Sequence, residues 1–335
     1  MSWPTAAGRF DLGDLKVQSG ETIKGAFLSW KTHGILSPNR DNVVLYPTSY
    51  SARHPDIEWL IGPDGVLDPT RWFIVIPDMF GNGLSSSPSN TPDYPHLVTA
   101  WDNVLAQRRL LKEQFDIEKL HAVYGWSMGA QQAYHWAVCF PDAMQAIVVN
   151  CGSARTAVHN QVFLKGLLAI LEAAPEHTGH GRFSAEPKAA LRAFARIYAG
   201  WGLSQDFYRA DLHLTADTPD LETFLRKGWE ERFGARPAAD LYAQLRTWLA
   251  GDISDNPLYN RDLQKALAAI RARVLLMPGE TDLYFRVADN AAELPHLDKA
   301  ELSPIPSIWG HRAGNPAQNR DDTAFIKTQV RRWLG

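Results

Sequence analysis

The segment Tyr124-Gly125-Trp126-Ser127-Met128-Gly129-Ala130 sets a serine on a turn with a glycine two positions to either side. An apolar, strand-like run at 120–124 precedes it, and helical spacing from about 128 to 140, stopped by Pro141, follows it. In that context the small residues let strand and helix backbones approach, and the strained turn projects the Ser127 hydroxyl above a sheet. The chemistry implied is nucleophilic attack. A hydroxyl is a weak nucleophile near neutral pH, so Ser127 needs a base within hydrogen-bond reach and a third group to orient that base.

Both partners are found late in the chain. After an apolar run at 274–277 comes Pro278-Gly279-Glu280-Thr281-Asp282, a loop where an orienting acid belongs, with Asp282 as the candidate and Glu280 as the alternative. Past the last strand, Ile308-Trp309-Gly310-His311-Arg312-Ala313-Gly314 places His311 in a glycine-flanked loop ahead of the final helix. There are eleven histidines, and order along the chain discriminates among them. His121 opens a strand, His135 sits in a helix, and His177 and His180 lie in a polar loop, so none of these four follows the last strand. The oxyanion formed during attack needs two backbone donors. One is the amide of Met128, the residue after the nucleophile; the other is expected in Thr48-Ser49-Tyr50-Ser51-Ala52, with the Tyr50 amide as the candidate and Ser49 or Ser51 as alternatives.

These residues have to be held by a sheet. Extended segments are read at 10–17, 24–32, 43–46, 72–77, 120–124, 146–150, 274–277 and 300–305, with an amphipathic helix between 99 and 115. The 72–77 run is apolar on both alternating sets, as a parallel strand covered on both faces requires. Between about 153 and 270 no strand is expected, but helical stretches are read at 161–174, 188–199, 221–233 and 238–250. The fold class predicted is α/β: a mainly parallel sheet with an antiparallel start, helices on both faces and a helical cap inserted after the sixth or seventh strand. Residues 1–153 and 271–335 form the two parts of the core and 154–270 the cap.

Composition narrows the partners. With 34 Lys and Arg against 37 Asp and Glu, the formal net charge of −3 offers no field for nucleic acid or an anionic membrane. Apolar runs fall far short of the roughly 18 residues of a membrane span. Residues 1–9 lack the basic start and apolar run of an export signal, so a cytoplasmic protein is expected. Cys139 and Cys151 lie in apolar surroundings with no C-x-x-C spacing, which indicates neither a disulfide framework nor a zinc site.

The order Ser127, Asp282, His311 is that of the α/β-hydrolase superfamily, and the chain resembles its homoserine O-acetyltransferase family. The likeness is carried by 42–45 and the loop after it, by Leu60-Ile61-Gly62-Pro63 through Leu67-Asp68 to Trp72-Phe73, by 99–120, and by Ser127-Met128-Gly129 with Ala133, Trp136-Ala137 and Pro141-Asp142. It spans 10–155 and 270–335 and is weak in the insertion. The resemblance implies a Ser-His-Asp triad, ping-pong acyl transfer through an acyl-serine, no metal or other cofactor, and often a homodimer built through the cap. In the family an acidic residue after the catalytic histidine helps to hold a substrate ammonium, whereas this chain has Arg312; Trp126 replaces a small residue. The family's carboxylate-binding cap arginine matches Arg196, which reads equally as a surface cation on an amphipathic helix, and the tyrosine expected seven residues later is Leu203. The expected substrate is a small-molecule ester hydrolysed by water, the alternative being acyl transfer from acyl-CoA to a hydroxyl acceptor such as homoserine.

Overall fold

The computed structural model describes residues 2–335. Its main sheet has eight strands: β1 (Thr5–Lys16), β2 (Thr22–His33), β3 (Val43–Leu45), β4 (Phe73–Pro77), β5 (Leu120–Trp126), β6 (Met144–Asn150), then, beyond a small hairpin of β7 (His177–Gly179) and β8 (Arg182–Phe183), β9 (Arg273–Met277) and β10 (Ala300–Leu302). The spatial order is β1-β2-β4-β3-β5-β6-β9-β10. The β1–β2 and β2–β4 pairs are antiparallel and every other pair is parallel.

The continuous apolar runs of the central strands are explained by burial on two faces. Val43, Leu45, Val123, Ile147, Val149, Val274 and Leu276 join one core cluster, which includes Ala133 and Trp136 of the helix Met128–Cys139 and Val104 of the helix Ala100–Arg109. Their neighbours Val44, Tyr124, Val148, Leu275 and Met277 join another with Ile326 and Val330 of the C-terminal helix Arg320–Leu334. Period-two alternation thus serves two helical layers from one set of strands.

Between β6 and β9 the chain is mostly helical, with Val158–Glu172, Lys188–Gly202, Gln205–Arg209, Leu221–Leu225, Glu231–Gly234, Ala238–Leu249 and Leu263–Ala268. Phe163, Leu167, Phe194, Tyr198 and Trp248 of these helices pack with Tyr50, Tyr284 and Phe285 from loops after strands and with Met128 at the start of the helix after β5, so the helices sit over the carboxyl ends of the strands.

Two expectations are corrected. The helical segment does contain strands, β7 and β8, whose three and two residues are too short for alternation to reveal and are joined by a turn with positive φ at Gly179, His180 and Gly181. The last strand ends at Leu302 instead of 305, because Pro304 has no amide proton to donate; Ile305 still forms an isolated bridge with Gly279. Among the described residues no helix is long and apolar enough to cross a membrane.

Candidate active site

Ser127 has φ 58° and ψ −126°, outside the helix that begins at Met128. The turn needs its glycines: a Cβ on Gly125 would lie 2.2 Å from the Gly129 carbonyl oxygen, and one on Gly129 would lie 2.7 Å from that of Pro47. A hydrogen bond from the Ser127 amide to the Asn150 carbonyl at 2.9 Å ties the turn to the end of β6.

The loop after β9 and the loop after β10 converge on this serine. The Ser127 hydroxyl is 2.9 Å from His311 Nε2, and His311 Nδ1 is 2.7 Å from Asp282 Oδ2. A carboxylate only accepts, so the proton belongs on Nδ1, which leaves Nε2 free to accept from the Ser127 hydroxyl. Asp282 Oδ1 in turn accepts the amides of Tyr284 at 2.7 Å and Phe285 at 3.2 Å, and the carboxylate is buried. The imidazole is clamped by rings: Trp126 stacks on it at 5.2 Å, with Tyr284 edge-on at 4.8 Å and Phe285 at 5.6 Å. Glu280 is exposed and forms no side-chain hydrogen bond to His311.

The loop after β3 is braced from below and above. Thr48 accepts the Met79 amide on its hydroxyl and the Gln132 side-chain amide on its carbonyl, both at 2.9 Å. From the cap, Gln244 Oε1 accepts the Ser51 amide at 2.8 Å, and Arg236 donates to the Ser51 carbonyl at 3.0 Å. These bonds hold Ser51 at φ 57°, and they occupy its amide. The Ser49, Tyr50 and Met128 amides have no acceptor among the described residues, so these are the donors free to meet an oxyanion.

Above Ser127 lies a small cavity of about 30 Å³. Trp126 and His311 line it from the core, and Tyr198, Trp229 and Phe233 from the cap. Arg312 and Arg232 also line it, as does Ser49. Burial pushes Arg312 down to about 9, with a smaller push from neighbouring Arg232, which burial lowers as well. Arg196 is elsewhere: its guanidinium is held by Glu222 and Glu230 on the outer face of the cap, and it does not line this cavity. Leu203 is buried, and its backbone packs against Gly310. A larger groove of about 320 Å³, lined by Tyr94, His96, His180 and Phe183, does not include Ser127.

Two other histidines, His121 and His135, are bonded to backbone carbonyls away from Ser127. His121 Nε2 pairs with the Leu334 carbonyl at 2.8 Å and the ring stacks on Trp72; the buried His135 pairs with the Gln131 carbonyl. Cys151 has its sulfur within 4.8 Å of donor atoms of Asp282 and His311. As a metal centre this trio is poor, because burial and then the Asp282 charge push the thiol pKa well up, while the other two groups are bonded to each other.

The place of two residues lining the site is not legible in the sequence. Arg232 lies three residues after Trp229 and so on one helical face with it, but that spacing alone does not mark a cation that lines a site. Trp126 departs from the family's small residue, but nothing local indicates that it stacks on His311.

The sequence matches the α/β hydrolase fold family over residues 63–307. A probable esterase of Corynebacterium glutamicum is 34% identical, with 90% of this chain and 88% of that protein covered. An ethyl acetate hydrolase of Pseudomonas veronii is 33% identical, covering 93% and 91%. The solved structure of the acetyl esterase MekB superposes with a TM-score of 0.93 at 30% identity, over 98% of this chain and 96% of that one. The homoserine O-acetyltransferase of Cyclobacterium marinum is 24% identical, covering 89% and 88%.

Proposed function

The chain belongs to the α/β hydrolase fold family as one of its esterases or acyltransferases, and from that premise we propose that it hydrolyses short-chain carboxylic esters through an acyl-serine intermediate. In this reading Ser127 Oγ attacks the acyl carbon while His311 Nε2 takes its proton, and Asp282 holds the imidazole in the required tautomer and balances the imidazolium. The amides of Tyr50 and Met128 receive the oxyanion. Collapse expels the alcohol, protonated by His311. Water, deprotonated by the same nitrogen, then attacks the acyl-serine, and the acid leaves with Ser127 restored.

The observation that carries the proposal is the continuous relay of 2.9 Å and 2.7 Å from Ser127 through His311 to Asp282, beside a cavity under the cap. Water is favoured over an amino-acid acceptor because Arg312 faces the same cavity, where an incoming ammonium would meet a like charge. Relatives named as a probable esterase, at 34% identity, and as an ethyl acetate hydrolase, at 33%, support the same choice. Acyl transfer is the second reading, favoured by the likeness to homoserine O-acetyltransferases, and uses the same intermediate. Exposed Val158, Val162 and Ile197 on the cap helices support the further expectation of a homodimer through that surface, which light scattering tests.

The test is a panel of acyl esters and acyl-CoA thioesters, each with and without homoserine, assayed for free acid. Free acid from short esters without any acceptor supports hydrolysis. Release of CoA only when homoserine is present overturns it in favour of transfer.

A further inference from the structure

The Ser127 cavity is lined by two guanidinium groups, Arg312 from the histidine loop and Arg232 from the cap, and neither has an ion-pair or hydrogen-bond partner among the described residues. The surrounding carboxylates are occupied. Asp282 serves His311 and two amides, Asp56 is paired with Arg236, and Glu222 and Glu230 hold Arg196. A third donor on the same wall is the Ser49 hydroxyl, whose residue is 2% exposed and whose oxygen has no partner.

Two partly desolvated cations beside each other without a counterion are costly, and a set of donors without acceptors is an incomplete hydrogen-bond arrangement. Both defects are relieved by one kind of group, an anion with several acceptor oxygens. The planar guanidinium fork matches a carboxylate in particular. Such a carboxylate must come without an α-ammonium, which the same two arginines would repel.

We propose that this site takes short esters that carry a carboxylate, held by Arg232 and Arg312 with Ser49 while Ser127 attacks the ester carbon. This rests on the ester-hydrolase reading above and names its substrate class. The cap aromatics Trp229 and Phe233 then pack on the carbon chain between the ester and the carboxylate.

The experiment compares kcat/KM for carboxylate esters and neutral isosteres in the full chain: acetoxyacetate against isobutyl acetate, with the charge on the alcohol side, and monomethyl succinate against methyl 4-methylpentanoate, with the charge on the acyl side. One charge-assisted hydrogen bond to the substrate is worth roughly a tenfold to hundredfold change in kcat/KM. One carboxylate ester is expected to exceed its isostere by that factor, and the ratio is expected to fall toward unity in Arg312→Gln and in Arg232→Gln. Equal or better use of both neutral isosteres by the parent protein overturns the proposal, as does a preference that survives in both variants. Should a variant fail to fold, the parent ratio and its loss when added acetate competes for the two guanidinium groups decide the question. Hydrolysis of neutral esters that depends on Ser127, with no carboxylate preference, ends this inference alone. Hydrolysis of neither class by the parent ends the ester-hydrolase reading with it.

Discussion

Asp282→Asn replaces one oxygen of a buried carboxylate by an amide nitrogen, and the surroundings dictate which oxygen is lost. Oδ1 accepts two backbone amides, from Tyr284 and Phe285, so the retained carbonyl oxygen of asparagine must stay there. The new NH2 group therefore points at His311 Nδ1, 2.7 Å away in the parent structure. Two donors cannot share one hydrogen bond, so Nδ1 has to become the acceptor and the imidazole proton moves to Nε2, facing the Ser127 hydroxyl at 2.9 Å. A base that already carries its proton cannot take the serine's. The loss expected from this wrong tautomer is about 10⁴ in kcat, or about 5.5 kcal/mol of barrier. Ester turnover measured on a chromogenic acetate, with KM and thermal midpoint recorded alongside, is the assay. KM and stability should move little, since shape and the two amide bonds are kept. A loss of less than about tenfold, or a loss explained by unfolding, would refute this account of Asp282.

Four further outcomes are expected. Glu280→Gln should leave turnover near the parent value in the same chromogenic assay, since its exposed side chain has no bond to His311. Gln244→Ala frees the Ser51 amide and loosens the loop that presents Tyr50, so kcat should fall by roughly tenfold or more with KM little changed, and Gln244→Glu, which keeps the acceptor, should restore most of it. Burial raises Glu293 from 4.5 to about 7 against the opposing bonds from Tyr134, Ala154 and Asn290, so the folded state holds a proton that the unfolded chain loses; stability is full below about pH 4.5 and falls by roughly 3 kcal/mol as pH rises through 7, a slope that Glu293→Gln should flatten in denaturant titrations. Homoserine should be a poor acyl acceptor that Arg312→Asp improves, as read from acetyl transfer to homoserine in the parent and the variant.

Most of the frame is legible in the sequence because strand–turn–helix grammar is local. Ser127 can be read from two glycines and the change of period around them, and Asp282 and His311 from their positions after late strands. The cap is legible as helices but not as a surface, since which aromatic faces the cavity depends on packing between distant segments: Trp229 and Phe233 line it, whereas Trp248 is buried behind Tyr50 and Phe285. Arg196 shows the converse. Its place in a family pattern suggests a substrate contact, yet Glu222 and Glu230, 26 and 34 residues further on, draw its guanidinium to the outer face, while Arg232 takes a position no local pattern marks. The β7–β8 hairpin and the early end of β10 depend on a few turn residues and one proline, where a two- or three-residue strand leaves no periodic signal.

The measurement closest to the central claim is active-site labelling with a fluorophosphonate, read by peptide mass mapping while ester hydrolysis is followed in the same sample. The account predicts one adduct, on Ser127, with hydrolysis lost in step with labelling, and neither label nor hydrolysis in Ser127→Ala. An adduct on another residue, or hydrolysis that persists in fully labelled protein, would contradict it.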